Sequence, residues 1–165
     1  DKYFGTSKEN IWAFGDAVGR QMFTHASRRQ APIVWNNAFG DGGQTFDFDA
    51  VPHAVFTWPQ IASVGLTEQE ASEDHDILVG SSRYNKAVRG EALRQDETFA
   101  KVILDGHDES LLGFHIIGPY APVLIQEVND AFAHGRQPGL ILNAMHIHPA
   151  MSELIQNVFK NPEEK

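Results

Sequence analysis

Near its C-terminus the chain carries a histidine and a glutamate at a spacing that suits acid–base chemistry. The segment reads His148-Pro149-Ala150-Met151-Ser152-Glu153. Proline is typical of the first turn of a helix, so we expect a helix that starts beside His148 and contains Glu153 about one turn in. A carboxylate that holds an imidazole fixes its tautomer and lets it exchange protons near neutral pH. The alternative is a hydrogen-bonded surface pair without a catalytic role, and the spacing alone favours it.

His146 and His148 also form a His-x-His pair. Two imidazoles can bind a metal ion, with Glu153 as a third ligand. Alternation along an extended segment would place both rings on the same side. Because no other group of metal-ligating residues accompanies the pair, we favour two unrelated histidines and predict no metal site.

A third candidate for chemistry is Asp16, which follows Gly15 at the end of the apolar run Asn10–Phe14. The run is typical of a short buried strand that reaches a turn. An aspartate at the carboxyl end of such a strand can bind a ligand hydroxyl, because ligands gather at that edge. The alternative, favoured on spacing, is that Asp16 caps the next helix. The chain contains neither G-x-G-x-x-G nor a Walker A sequence.

The surrounding pattern predicts the elements that must position these residues. Thr67 and Glu70 have the spacing of a capping box and mark a helix start. A polar loop between two apolar runs predicts a β-hairpin. The predicted strands are 53–58, 61–66, 77–84, 99–104 and 111–117; the predicted helices are 17–31, 120–134 and one after Pro149; 36–50 is a loop and 161–165 a loose tail. This order favours an α+β fold in which helices lie on an antiparallel sheet.

Composition excludes several functional classes. The chain has 165 residues, 42% of them hydrophobic, which is enough for a packed core. A net charge of −9 argues against nucleic acid, because phosphate binding needs a basic surface. No apolar run is long enough for a membrane span and no signal peptide is visible. The acidic balance fits a cytoplasmic protein. With no cysteine, this chain carries no thiol chemistry of its own.

Taken together and in order, these segments resemble the FAD-dependent pyridine nucleotide–disulfide oxidoreductases. Ile11–Asp16 resembles the family's second FAD-contact motif, and Met22–His25 the segment that follows it. Val51–Glu68 resembles the opening of the dimerisation domain, and Gly113–Gly118 its hairpin. His146–Glu153 is similar to the terminal His-x-His-Pro-x-x-Ser-Glu motif of dihydrolipoamide dehydrogenases. The resemblance implies a C-terminal remnant of the FAD-binding domain at 1–50 and a dimerisation domain at 51–165.

The resemblance also implies roles for individual residues. His148 would take a proton from a dithiol in the active site of the partner subunit of a homodimer, and Glu153 would orient it. Asp16 would bind the ribitol of FAD, and NAD(P) would be the second cofactor of the full-length enzyme. The residues along the flavin edge would be Met22, Phe23, Thr24 and His25.

The chain departs from the family in missing motifs and in details of its terminal motif. The family's cysteine pair and its main nucleotide-binding glycine motifs are absent, so we expect the chain alone to be inactive. His148-Pro149 argues against a mercuric reductase relative, whereas Ala150 after Pro149 resembles the mycothiol-disulfide reductases. The disulfide or dithiol substrate therefore stays open, and a dimerisation module without a catalytic role is the alternative to the enzyme.

Overall fold

The computed structural model describes residues 1–165 and divides into two compact units, Asp1–Val51 and Pro52–Lys165. In the first unit the strand predicted at 10–14 is wrong. Only Trp12 pairs there, in an isolated antiparallel bridge with Gly5, and Ile11 and Phe14 are exposed. With a single bridge as its partner, the run has no sheet in which to be buried.

The predicted helix at 17–31 is displaced along the chain. A short 3-10 helix occupies Gly15–Val18 and ends at Gly19, whose φ of +71° lies in the left-handed region that stops a helix. Helix α1 then spans Thr24–Phe39, with Pro32 inside it. The loop predicted from residue 36 therefore begins only at Gly40.

The second unit is built on one six-stranded antiparallel sheet, as the α+β prediction requires. The strand order is β1-β2-β5-β4-β3-β6. The strands are β1 (His53–Val55), β2 (Ile61–Gly65), β3 (Ile77–Arg83), β4 (Phe99–Asp105), β5 (Leu111–Ile117) and β6 (Glu163–Glu164).

The predicted hairpin is confirmed as β4 and β5, in which Phe99 pairs with Ile117 and, nearer the turn, Leu104 pairs with Leu111. Strand β1 is shorter than predicted and ends at Val55. The predicted loose tail is wrong, because Glu163 and Glu164 form the edge strand β6 against β3. This pairing joins residues far apart in sequence, so no local sequence pattern predicts it.

Short helices accompany the sheet. The capping box is confirmed: Thr67 Oγ1 accepts a hydrogen bond from the Glu70 N–H at 3.2 Å, and Glu70 Oε2 accepts one from the Thr67 N–H at 2.8 Å. The helices are α2 (Glu68–Ala71), α3 (Val88–Ala92), α4 (Ala121–Ala133), α5 (Gly139–Leu142) and α6 (Glu153–Asn157).

Helix α4 buries the stripe that its sequence predicts, formed by Leu124, Val128, Ala131 and Phe132. Helix α6 buries Leu154 and Ile155 completely. The helix predicted directly after Pro149 is wrong in its start, because α6 begins at Glu153. Residues 143–152 instead form an irregular segment between α5 and α6, and this segment carries His148.

Candidate functional site

His148 and Glu153 are in direct contact. His148 Nδ1 lies 2.8 Å from Glu153 Oε1, and the Ala150 N–H donates to Glu153 Oε2 at 3.0 Å. The hydrogen bond from His148, and after it the one from Ala150, lowers the pKa of the Glu153 carboxyl from its ordinary value. Glu153 is therefore an ionised acceptor that holds the imidazole by Nδ1. This contact forms because Glu153 is the first residue of α6 and faces back along the segment before it.

The His148 side chain is 66% exposed, whereas Glu153 is 23% exposed. Since Glu153 engages Nδ1, Nε2 is the ring nitrogen left to exchange a proton with another molecule. An exposed imidazole held by a partly covered carboxylate is an arrangement that suits a general acid or base.

His146 has different surroundings from His148, as expected for two unrelated histidines. The His146 side chain is only 6% exposed, and its Nε2 lies 2.6 Å from Glu127 Oε1 on α4. The two histidines thus contact separate carboxylates. No group of three or more histidine, aspartate or glutamate side chains is arranged to hold a metal ion.

Large apolar side chains flank these histidines and are uncovered. Met145 is 99% exposed and Ile147 is 77% exposed. They alternate with His146, whose side chain turns inward to α4. An uncovered pair of this kind is typical of a surface that contacts another protein.

In the first unit, the preferred interpretation of Asp16 as a helix cap is wrong. Asp16 is an exposed residue inside the 3-10 helix, and the N-cap of α1 is Phe23. The neighbouring Gly15 is buried, and its N–H donates to Gln30 Oε1 at 2.7 Å. The Gln30 side chain is fully buried, and its Nε2 has no hydrogen-bond partner within the chain.

Residues 22–25 lie at the start of α1. No side chain caps this helix at Phe23, whose ring stacks on that of His25 at 5.3 Å. Met22 is 66% exposed just before the helix. An uncapped helix start presents N–H donors to an external acceptor.

Glu127 is a site residue that our sequence analysis missed. It lies on α4, far along the chain from His146, so no local spacing links the two. The only sequence signal is its place on the polar side of an amphipathic helix, which is also where a solvated glutamate would lie.

Comparison with known proteins identifies the family. Residues 51–159 match the family model described as pyridine nucleotide-disulphide oxidoreductase, dimerisation domain. The chain belongs to this family. No helix of this oxidoreductase domain, or of the unit before it, has the length and apolar character needed to cross a membrane.

Several relatives resemble this chain along most of its length. Dihydrolipoyl dehydrogenase of Synechocystis sp. is 35% identical over 161 residues, covering 94% of this chain and 34% of that protein. Mycothione reductase of Mycobacterium tuberculosis is 34% identical over 164 residues, covering 95% of this chain and 36% of that protein. The chain thus spans about a third of the length of these relatives.

Solved structures give the same fold. The HOCl-induced flavoprotein disulfide reductase RclA from Escherichia coli aligns with a TM-score of 0.81 and 29% identity, covering 96% of this chain and 37% of that one. LpdA from Mycobacterium tuberculosis aligns with a TM-score of 0.86 at 21% identity, covering 96% of this chain and 35% of that one, and supports the fold alone.

Proposed function

We propose that this chain is the C-terminal part of a flavin-dependent NAD(P)H dithiol–disulfide oxidoreductase of the dihydrolipoamide dehydrogenase type. Residues 51–165 would be its dimerisation domain and residues 1–50 the end of its FAD-binding domain. The family match and the division of the chain near residue 51 support this assignment.

The observation that carries the proposal is the exposed His148 whose Nδ1 is held by Glu153 at 2.8 Å. In thiol–disulfide exchange the thiolate is the nucleophile, so a dithiol must lose a proton before it attacks. His148 Nε2 accepts that proton, and Glu153 stabilises the imidazolium that forms. In the reverse direction the same nitrogen returns the proton to the leaving thiolate.

The first unit fits FAD at three places. The buried Gln30 Nε2 lacks a partner within the chain, Asp16 offers an exposed carboxylate to a ribitol hydroxyl, and the start of α1 is uncapped. Met22, Phe23, Thr24 and His25 would hold the flavin edge through backbone groups. Bound FAD would supply the two-electron chemistry that links a dithiol to NAD(P).

A homodimer explains the exposed apolar residues beside His148. Met145 and Ile147 are largely exposed, and a second subunit would bury them. Because they flank His146, and Ile147 directly precedes His148, the same contact would bring His148 to the partner's active site.

The substrate class is a dithiol or its disulfide. Relatives that carry the names dihydrolipoyl dehydrogenase and mycothione reductase are 35% and 34% identical to this chain. We propose the dihydrolipoyl type because the terminal motif of residues 146–153 resembles that group most fully. The mycothiol-disulfide type is the second candidate, favoured by Ala150.

The test is His148→Gln in the full-length enzyme, with His107→Gln, an exposed histidine of the β4–β5 turn, as the matched control. Loss of a general acid–base lowers turnover of lipoamide by roughly 100- to 10,000-fold. Flavin content and dimer mass stay at wild-type values, and the control keeps its turnover.

Near-normal turnover in His148→Gln would contradict the proposal. A variant that loses dimer mass together with activity would support the dimerisation module without a catalytic role.

A further inference from the structure

The His146 side chain, which is 6% exposed, has a hydrogen-bond partner at each ring nitrogen. Its Nε2 lies 2.6 Å from Glu127 Oε1, and its Nδ1 lies 3.2 Å from the carbonyl oxygen of Ala144. A carbonyl oxygen never donates, and neither does an ionised carboxylate. Nδ1 therefore donates to the Ala144 oxygen, and a proton between Nε2 and Glu127 Oε1 joins the ring to the carboxyl group. Both ring nitrogens thus attach this segment to its surroundings.

The same carbonyl group ties the segment to α6. Gln156 Nε2 donates to the Ala144 oxygen at 3.0 Å, and Gln156 is one turn after Glu153 on the same helix. The 143–152 segment is thus attached to α4 through His146 and Glu127, and to α6 through Ala144 and Gln156. A further attachment to α6 is the hydrogen bond from Ala150 N–H to Glu153.

The position of these contacts matters because His148 is two residues from His146. The exposed side chain of His148 has Glu153 as its sole side-chain partner in the structure. The backbone that carries it therefore depends on neighbouring anchors, and His146 is the anchor that precedes it. The pKa of Glu153, lowered chiefly by the His148 hydrogen bond, is lowered further by the charge of His146.

We propose that Glu127 and His146 form a positioning pair that holds the backbone of residues 143–148 in the orientation that His148 needs. Neither side chain would touch the substrate; both would act through His148. This inference rests on the proposed function, in which His148 exchanges the proton of a dithiol.

The first arm of the test is Glu127→Gln in the full-length enzyme. The amide keeps the size of the side chain but removes the carboxyl group that pairs with His146 Nε2. We expect kcat for lipoamide to fall roughly 10- to 100-fold, because small misplacements of a reacting group cost factors of this size. KM stays within about threefold, since no substrate contact is lost. Reduction of ferricyanide by NAD(P)H, which bypasses the dithiol step, stays unchanged.

The matched control is Asp130→Asn, which makes the same change of charge one turn away on α4. The Asp130 side chain contacts Gln126 at 2.8 Å rather than the 143–152 segment. We expect wild-type kinetics from this variant. His146→Gln is the second variant, and it lowers kcat in the same way; it serves if Glu127→Gln does not fold.

The deciding arm is the double variant with His148→Gln. If Glu127 acts through His148, adding Glu127→Gln to His148→Gln lowers kcat no further. A further loss equal to that of the single variant overturns the positioning role, and so does wild-type kcat in both Glu127→Gln and His146→Gln. Wild-type kcat in His148→Gln alone would instead overturn the proposed function, and the positioning role with it.

Discussion

At the scale of single residues, His146 and His148 show how surroundings divide two identical side chains. His148 is 66% exposed and contacts a carboxylate through one nitrogen, whereas His146 is 6% exposed and has acceptors at both nitrogens. The first arrangement leaves a nitrogen for proton exchange, and the second uses both for attachment. The sequence predicts the contact of His148 with Glu153 because the two are close along the chain. No local spacing links Glu127 to His146, because their contact depends on how α4 packs.

Glu153→Gln tests the electrostatic part of the site. Since folding lowers the pKa of Glu153 below its ordinary value of 4.5, its ionised form stabilises the folded chain above that pH. This contribution is lost as the pH falls below 4.5 through the lowered pKa. We therefore expect the wild type to exceed Glu153→Gln in unfolding free energy at neutral pH, and the difference to shrink in acid.

Urea unfolding of both proteins from about pH 7 to about pH 3 measures this difference. Glu91→Gln, at an exposed glutamate of α3, is the control. A difference between wild type and Glu153→Gln that does not change with pH would contradict the assignment.

At the scale of elements, the C-terminal end of α6 lies directly against strand β3. A Cβ added at Gly80 of β3 would clash with the carbonyl oxygen of Val158, directly after α6. The glycine at this position therefore lets the end of α6 rest against the sheet.

Gly80→Ala should displace this end of α6 and destabilise the chain by about 1–3 kcal/mol, the usual cost of overpacking. Urea unfolding measures the loss, with Ser81→Ala, at an exposed neighbour on the same strand, as the control. Equal stability of Gly80→Ala and the wild type would show that α6 does not depend on this contact.

The elements that the sequence predicts well are those determined by near neighbours. The β4–β5 hairpin and the Thr67–Glu70 capping box need only residues close in sequence, and both are confirmed. Strand β6 and the late start of α1 were not predicted. Strand β6 exists only through its pairing with β3, and the start of α1 is delayed by the left-handed Gly19.

At the scale of the whole molecule, the chain contains the proposed proton acceptor, His148, but none of the thiols with which it would react. It places His148, held by Glu153, at an exposed position but contains no cysteine. In the proposed enzyme the thiols would be supplied by the FAD-binding part of the full-length polypeptide. The dimer would bring them to the His148 of the other subunit, so activity would depend on two chains.

In the proposed enzyme His148 serves the active site of the partner subunit, and hybrid dimers test this arrangement directly. One full-length subunit carries His148→Gln, and the other has serine in place of its redox cysteines. Each homodimer is inactive. In a hybrid, one active site combines intact cysteines with an intact His148, so random mixing in equal amounts should restore about one quarter of wild-type turnover of lipoamide. Mixtures that form hybrid dimers but stay inactive would contradict the account.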